Sequence, residues 1–316
     1  MLNNQDFTHD RTKYLGGSDI GAILGLSPYK TSLDVWLEKT GKHNHQVDNL
    51  PIRFGTFAES FVASEYARAT GATLIEYPSA ISHPQYSYLQ GHIDRFITSD
   101  SAELFREDGT CTASYLLECK TANPFTQSQW GEAGSDEVPM SYLAQCHWYL
   151  CMTQIERCDL AVLFGNSDFR IYHITRDREL EPTLLEAALT FWQNHVLADI
   201  PPDAKTMGDY QKLFTKEVPG KKLEATEQTR LLIETAKELN TAIDTKAQEL
   251  EQIKKLLMEQ IQEAQELTYQ GKILATWKRP KASFRFDSKR FESEHPDLFP
   301  LYQTPIQNSR RLVIKA

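Results

Sequence analysis

The chain has 316 residues and a formal net charge of −9, and 41% of its residues are hydrophobic. This composition is typical of a globular protein, and no apolar run approaches the ~18 residues that a membrane-spanning helix needs. The five cysteines include no C-x-x-C pair. Neither a disulfide framework nor a zinc site is therefore predicted, and we expect a cytoplasmic protein without a membrane or signal segment.

The negative charge is concentrated in the first part of the chain. Residues 1–199 carry 14 Lys and Arg against 26 Asp and Glu, whereas residues 200–316 carry 20 against 17. An acidic body cannot attract nucleic acid over its whole surface. A nucleic-acid partner would therefore have to be held in a local groove or channel.

The first predicted helix begins near Gly16-Gly17-Ser18-Asp19. Ser18 or Asp19 is suited to cap it, and the free N–H groups of a first helical turn attract anions. With Arg11 nearby, a phosphate site is one interpretation and a plain capped turn is the other. Lys30 precedes the next predicted helix, where it could reach a phosphate or simply be solvated.

Two amphipathic helices are predicted next. The first ends at Gly41, and the second has apolar residues at helical spacing over 52–62. Glu59 lies in that apolar stripe without a Lys or Arg three or four residues further along. Its carboxylate is expected either to emerge at the edge of the stripe or to face a metal ion, and the spacing does not decide between these.

The central feature of the sequence is a pair of predicted strands, His92–Ile97 and Leu116–Lys120, joined by a hairpin loop at 100–112. Because side chains alternate across a sheet, Glu118 and Lys120 are expected to share one face. The apolar residues next to them are expected to face the core.

This pair of strands predicts a metal site. Asp94, Glu118 and the backbone carbonyl of Cys119 are hard oxygen donors of the kind that Mg²⁺ and Mn²⁺ prefer. Lys120 would then lie beside the water that a metal binds. The alternative is that Asp94 caps a turn and that Glu118 and Lys120 form an ordinary surface ion pair.

A strongly apolar helix is predicted at 139–152, where Gln145 and Tyr149 are four residues apart and share a face. Two strands and a helix follow at 159–165, 169–174 and 179–197. Helices, strands, a helix, two strands and a helix in this order predict a mixed α/β (α+β) layer fold.

Pro201-Pro202 marks a predicted boundary, because neither a helix nor a strand continues comfortably through two prolines. We therefore expect a domain of residues 1–200 and an extension of residues 203–316. The second half of that extension, residues 271–316, is basic and is predicted to be rich in β structure.

Residues 223–267 contain neither proline nor glycine, and apolar residues recur there at alternating spacings of four and three. This pattern predicts a coiled-coil-like seam, in one long helix or in a hairpin that folds at Asn240-Thr241. The seam consists of Leu232, Ala236, Leu239, Ile243, Leu250, Ile253, Leu257 and Ala264, with Lys246 and Gln260 at two interrupting positions.

The motifs of the first 200 residues, and their order, closely resemble the YqaJ viral recombinase and lambda-exonuclease family of the PD-(D/E)XK nuclease superfamily. The shared motifs are Gly16-Gly17-Ser18-Asp19, Ser27-Pro28-Tyr29-Lys30-Thr31 with Trp36 and Glu38-Lys39-Thr40-Gly41, Phe54-Gly55 leading to Glu59, Gly91-His92-Ile93-Asp94, Leu117-Glu118-Cys119-Lys120 and Ala144-Gln145-x-x-x-Tyr149. Ile93 stands where the superfamily would ideally have proline, a relaxation that leaves the ligand set intact.

The resemblance implies a restriction-endonuclease-like core with a central mixed sheet flanked by helices. It implies a 5′-to-3′ exonuclease that digests one strand of linear double-stranded DNA and leaves a 3′ overhang for phage-type homologous recombination. It also implies one or two Mg²⁺ or Mn²⁺ ions per site, double-stranded DNA ends as substrate, a homotrimeric ring through which DNA threads, and a single-strand annealing protein as partner.

By matching position, the resemblance implies a set of site residues. Asp94, Glu118 and the Cys119 carbonyl would ligate the metal, and Glu59 would support a second ion. Lys120 would orient or deprotonate the attacking water, Gln145 would help to hold the site, and Tyr149 would complete a Gln-x-x-x-Tyr motif. Arg11 and Ser18 occupy positions that bind the 5′-phosphate. Lys30 is added to them because it precedes the next predicted helix, where it could reach a phosphate.

Two other functions stay open on the sequence. One keeps the fold but gives a RecB- or Cas4-like endonuclease or single-strand nuclease, although the absence of a cysteine cluster argues against the iron–sulfur members. The other is a non-catalytic DNA-binding assembly module with a coiled-coil tail. The presence of Asp94, Glu118 and Lys120 together argues against that function.

Overall fold

The structure, a computed structural model, divides into two compact units, Met1–Tyr210 and Gln211–Ala316. None of the helices that the structure describes is long and apolar enough to cross a membrane. The residues described are 10–42, 49–98, 103–304 and 309–315.

The first unit has the predicted mixed α/β architecture, with a central five-stranded sheet in the order β1-β4-β5-β6-β7. β5 pairs in parallel with β6, and the other neighbours in this sheet are antiparallel. The strands are β1 (Thr73–Ile75), β2 (Ile81–Ser82), β3 (Gln90–Gly91), β4 (Arg95–Thr98), β5 (Tyr115–Ala122), β6 (Arg157–Phe164) and β7 (Asp168–Thr175), of which β2 and β3 form a separate pair.

The helices of the first unit lie close to the positions predicted from periodicity. They are α1 (Gly17–Ile23), α2 (Ser32–Lys39), α3 (Leu50–Thr70), α4 (Met140–Thr153) and α5 (Leu180–Phe191), which continues as a π-helical turn at Trp192–Leu197. A further helix, α6 (Met207–Leu213), spans the point at which the two units divide.

Helix α3 is longer than the apolar stripe at 52–62 predicted. Asn49 caps its start, because its side chain accepts a hydrogen bond from the N–H of Ile52. Gly71 ends it in the left-handed conformation, with a φ of 71°. The helix therefore runs until residues suited to ending it occur.

The two faces of the sheet have different surroundings, one apolar and the other polar at Glu118. Leu117 and Cys119 of β5 pack into a core cluster with Val62, Ala63 and Tyr66 of α3. Glu118, which alternates with them, lies on the other face and bonds to a residue of α4. Since β5 and β6 are parallel, the chain must cross over between them, and α4 lies in that crossover.

One predicted strand boundary is different in the structure. The strand predicted at His92–Ile97 begins only at Arg95, because residues 92–94 lie between β3 and β4 and are in neither. The predicted loop at 100–112 is described from residue 103 onward. That part turns back on itself through a bridge between Phe105 and Cys111.

The second unit contains α7 (Glu227–Ile261), β8 (Glu266–Tyr269), β9 (Lys272–Thr276) and α8 (Ser288–Glu294). The long helix is unbroken, so the hairpin alternative at Asn240-Thr241 is wrong. It is also shorter than 223–267. Thr226 caps its start by accepting from the N–H of Thr229, and Ala264 lies beyond its end, shortly before β8.

The C-terminal segment 271–316 is less rich in β structure than the sequence predicted. Within 271–316 the described residues form only one strand, β9, which pairs with β8. The segment 283–286 forms no strand. Pro280 lies between it and β9, and Phe286 instead packs against Phe291 of α8, with 5.1 Å between ring centroids.

Candidate active site

The edge of β5 is open beside Asp94. β4 pairs with β5 only as far as Leu117, so the following residues of β5 have no partner strand on that side. Asp94, which precedes β4, takes that place, and its Oδ2 accepts a hydrogen bond of 2.7 Å from the N–H of Cys119. Because the N–H and C=O of one residue point to the same side of a strand, the Cys119 carbonyl also faces Asp94.

Glu118 is buried and only partly satisfied. Its Oε1 accepts a hydrogen bond of 2.6 Å from Gln145 and a further bond from the ammonium of Lys120. Its Oε2 is buried and has no hydrogen-bond partner among the described residues. Since a buried carboxylate oxygen without a partner is costly, this atom is placed to accept a cation or a donor that the chain does not provide.

The charges of the site are incompletely balanced. Burial and the nearby charge of Glu118 raise the pKa of Asp94 to about 7. Burial also raises the pKa of Glu118, although Lys120 opposes that change. Burial favours the neutral amine of Lys120, but Glu118 and Asp94 outweigh it and hold the pKa of Lys120 above its ordinary value. Two carboxylates thus share one close ammonium, which favours binding of an additional cation.

Glu59 feels the charge of this carboxylate pair but is bound to Arg95. Its Oε1 accepts a hydrogen bond of 3.0 Å from Arg95 of β4. Burial and the charge of Asp94 raise the pKa of Glu59. Among the described residues, no three His, Cys, Asp or Glu side chains converge as a metal-binding group. Glu59 is therefore close enough to influence the charge of Asp94 and Glu118, but its hydrogen-bond partner is Arg95 and it does not converge with them.

Gln145 and Tyr149 of α4 complete this part of the site. The amide of Gln145 donates to Glu118 and, at 2.8 Å, to the hydroxyl of Tyr149. Their spacing of four residues brings both side chains to one face of the helix, as the sequence predicted. Gln145 thus holds Glu118 from the helix that covers this face of the sheet.

A second charged cluster, here called the cation cluster, consists of Arg11, Lys30 and Lys39 with Asp19 and Glu38. Both side chains of the ion pair between Lys39 and Asp19, at 2.8 Å, are fully buried. Lys30 binds the other oxygen of Asp19 at 2.8 Å and Glu38 at 2.6 Å. Three cations thus surround two carboxylates, which leaves one positive charge in excess.

Arg11 connects this cluster to the start of α1. Its guanidinium donates to the hydroxyl of Ser18 at 3.2 Å and pairs with Glu38 at 3.3 Å. The capping differs from the sequence prediction. Gly16 is the N-cap of α1, and Asp19 accepts a hydrogen bond of 3.1 Å from the Gly16 N–H. Asp19 thus stabilises the helix end from within its first turn and also holds two lysines.

Tyr149 lies between Gln145, which binds Glu118, and Gly17 of α1. A Cβ atom added to Gly17 would lie 2.7 Å from Cε1 of Tyr149, so only glycine allows this contact between α1 and α4. Gly17 directly precedes Ser18, which binds Arg11. The carboxylate pair and the cation cluster are therefore neighbours, joined through Gln145, Tyr149 and Gly17.

The sequence predicted that Arg11, Ser18 and Lys30 could bind a phosphate, but it did not identify two other members of the cation cluster. Lys39 resembled an ordinary basic residue in the last turn of a helix, and Glu38 an ordinary surface residue. A basic residue at the end of an amphipathic helix gives no local signal that it is buried. The acidic and basic residues at 38 and 39 are nevertheless part of the motif quoted above.

Comparison with known families gives one match in this region. Residues 6–156 match the model of the YqaJ-like viral recombinase domain. This segment is thus similar to the YqaJ-like viral recombinase domain. Every residue of the carboxylate pair and of the cation cluster lies in this matched segment, whereas β6, β7 and the second unit lie outside it.

The YqaJ-like domain and the rest of the chain also align with individual proteins. The uncharacterized protein YqaJ of Bacillus subtilis (strain 168) is 28% identical over 309 residues, which are 94% of this chain and 90% of that protein. Two crystal structures of LHK-Exo, an alkaline exonuclease from Laribacter hongkongensis, one of them in complex with dAMP, are 16% identical. They cover 60% of this chain and 91% of the exonuclease, with TM-scores of 0.46 and 0.47.

Proposed function

We propose that this chain is a metal-dependent exonuclease that digests one strand of linear double-stranded DNA from 5′ to 3′ and leaves a 3′ overhang for phage-type homologous recombination. The observation that carries the proposal is the position of Tyr149, which bonds to Gln145, the partner of Glu118, and packs against Gly17, the neighbour of Ser18. This position supports a site in which the net-positive cation cluster lies near two under-neutralised carboxylates. A terminal phosphate held by the cation cluster would present the adjoining phosphodiester to the carboxylates.

The residues at the open edge of β5 fit a divalent cation. Asp94, Glu118 and the Cys119 carbonyl would hold Mg²⁺ or Mn²⁺. A bound cation would give the Oε2 of Glu118 a partner and would offset the repulsion that raises the pKa of Asp94. Such an ion supplies Lewis acidity, which activates water and offsets the charge growing on the scissile phosphate. A second ion supported by Glu59 requires that carboxylate to exchange its bond with Arg95.

We assign Lys120 the orientation of the attacking water, and the raised pKa of its ammonium supports this choice over proton abstraction. An ammonium that stays protonated donates hydrogen bonds to water or to a phosphate oxygen and accepts no proton. Gln145 keeps Glu118 in the rotamer that faces the site by donating to its Oε1. Gln145 is thus a positioning residue in this proposal.

The cation cluster supports attack from an end of the DNA. At neutral pH a terminal phosphate monoester carries about −1.5 to −2 charges, as phosphorylated side chains do, whereas an internal phosphodiester carries one. The excess charge of the cluster, with the donors of Arg11, Ser18 and Lys30, suits the terminal group. A 5′-phosphate bound there implies digestion towards the 3′ end.

The proposal extends to the expected assembly. A homotrimeric ring through which DNA passes would let a chain with a net charge of −9 retain its substrate without a basic outer surface. The single-strand annealing partner belongs to the same proposal, because it would bind the 3′ overhang that the exonuclease leaves.

The decisive experiment compares 5′-phosphorylated linear duplex, 5′-hydroxyl linear duplex and closed circular duplex in Mg²⁺ or Mn²⁺, with products resolved by strand. We expect loss of the 5′-ended strand, faster digestion with the phosphate, and an intact circle. Glu118→Ala and Lys120→Ala should abolish digestion, with circular dichroism as the check on folding. Cutting of the circle would identify an endonuclease instead, and full activity of both variants would refute the site.

A further inference from the structure

The apolar seam of helix α7 is exposed within the second unit. The six large apolar residues of the seam that lie in the helix are between 39% and 65% exposed. They are Leu232, Leu239, Ile243, Leu250, Ile253 and Leu257. Helices in proteins owe most of their stability to packing of an apolar face, so a helix of 35 residues with this face exposed calls for a partner.

The pattern of the helix is that of a coiled coil. Assigning heptad position d to Leu239 and position a to Ile243 puts all six seam residues at a or d. Between Lys237 and Lys255, every residue at positions b, c and f is polar. A seven-residue apolar repeat flanked by polar positions indicates packing against another helix of the same kind rather than against a sheet or a globular surface.

The flanking positions of α7 match those of a second α7. In a parallel, in-register pair, residue g of one helix faces residue e of the following heptad on the other helix. Glu249 then faces Lys254, two side chains of opposite charge that are each more than half exposed. Ala242 faces Ala247, which allows the two backbones to approach closely. The seam is thus complementary to itself.

We propose that α7 pairs in parallel and in register with α7 of another copy of this chain. The second unit is then an assembly element, and its pairing is independent of the nuclease activity proposed above. Lys246 at a d position opposes its own counterpart, and its ion pair of 2.8 Å with Glu249 compensates that charge. A polar residue at one core position costs stability but fixes register and the number of helices.

Disulfide cross-linking of the full chain tests this pairing. Leu239→Cys and Ile253→Cys each place a thiol at a d position, where an in-register parallel pair brings it next to its own counterpart. Thr241→Cys and Lys255→Cys, at outward f positions of the same helix, are the matched controls. The five native cysteines are buried and give no background linkage between chains.

We expect mild oxidation to link each seam variant to itself, and the controls to behave like the wild-type chain on non-reducing gels. Two positions are used so that misfolding of one variant does not decide the result. A mixture of the Leu239→Cys and Ile253→Cys chains should form only like-with-like links. Efficient links between unlike chains would indicate antiparallel pairing and overturn the proposal, and so would equal linkage at seam and control positions or no linkage at all.

Sedimentation equilibrium of unmodified chains supplies a second measurement. Replacing Lys246 by Leu removes the like charges that face each other in the seam, so Lys246→Leu should tighten self-association by roughly tenfold or more. Lys255→Leu, on the outer face, should leave it unchanged. If Lys246→Leu had no effect or weakened association, α7 would not pair through this seam.

Discussion

The side-chain amide of Gln145 donates a hydrogen bond of 2.6 Å to the buried carboxylate of Glu118. Gln145→Ala removes this donor, so Glu118 can rotate and its negative charge loses a partner. Loss of a residue that orients a metal ligand typically lowers metal affinity 10- to 100-fold. We expect a fall of about that size in Mn²⁺ affinity, measured by titration calorimetry, with a parallel fall in activity.

Tyr149→Phe provides the comparison for that variant. It removes only the hydroxyl that accepts the second hydrogen bond of Gln145, at 2.8 Å, and leaves the bond to Glu118 in place. Its effect on Mn²⁺ affinity should be clearly smaller. If the two variants lowered affinity equally, the role of Gln145 would not lie in its bond to Glu118.

Removing metal should expose the repulsion between Asp94 and Glu118. Burial and Glu118 raise the pKa of Asp94 to about 7, so the folded state holds a proton that the unfolded chain releases above its ordinary pKa of 3.8. Stability in EDTA should therefore fall as pH rises from about 4 to about 7, and level off above that. Urea unfolding at a series of pH values measures this directly.

Asp94→Asn keeps the shape of the side chain and the acceptor for the Cys119 N–H but removes the charge. In EDTA at pH 8 it should be more stable than the wild-type chain, by at most about 4 kcal/mol, and the difference should shrink towards pH 4. It should also lose the stabilisation that Mn²⁺ gives the wild-type chain. A variant less stable than wild type at pH 8 in EDTA would contradict this account.

Asp19 is fully buried and pairs with three cations. Burial alone would raise the pKa of Asp19, but Lys30, Lys39 and Arg11 outweigh it and hold that pKa well below its usual range. Asp19→Asn leaves the buried ammonium of Lys39 without its closest carboxylate. Breaking a buried ion pair in this way costs about 3–5 kcal/mol, which urea unfolding at pH 7 should show.

The pH dependence of that loss follows from the direction of the shift. A carboxylate with a lowered pKa stabilises the fold fully above its ordinary pKa of 3.8, and loses this contribution as pH falls towards its folded pKa. The difference between wild type and Asp19→Asn should therefore be constant above about pH 5 and decrease below about pH 4. Glu38→Gln, at a partly exposed carboxylate, should have a much smaller effect at every pH.

The features that the sequence predicted well are those with local causes. Glu118 and Lys120 share a face because alternation is a property of the strand itself, and Gln145 and Tyr149 do so because of helical periodicity. The continuity of α7 through Asn240-Thr241 was left open, since neither residue breaks a helix by itself. Its ends depended on Thr226 and on the strand pair that follows, which the apolar spacing does not reveal.

The features that could not be predicted depend on residues far apart in the chain. Glu59 is paired with Arg95, 36 residues away, and a search three and four residues along a helix cannot find such a partner. Lys39 can be buried because it forms an ion pair with Asp19, and no residue near 39 in the sequence indicates that pairing. The position of Asp94 just before β4 depends on where that strand begins to pair with β5.

Gly17 lies against Tyr149, one of the residues that join the carboxylate pair to the cation cluster. In Gly17→Ala the new Cβ would lie 2.7 Å from Cε1 of the tyrosine ring, so α1 or the ring must move. We expect a loss of about 1–3 kcal/mol in unfolding free energy. Because the movement also displaces Ser18, the preference for 5′-phosphorylated over 5′-hydroxyl ends should fall.

Gly55→Ala is the matched control, since a Cβ at that position in α3 meets only Thr121 Oγ1, at 3.7 Å, an ordinary contact. In a helix interior this exchange should stabilise the chain by roughly 0.5–1 kcal/mol. In the double variant Gly17→Ala/Tyr149→Ala the ring that the new Cβ would meet is absent. Its loss of unfolding free energy should therefore be smaller than the sum of the losses in the two single variants. Strictly additive losses would show that Gly17 acts through some other contact than the one with Tyr149.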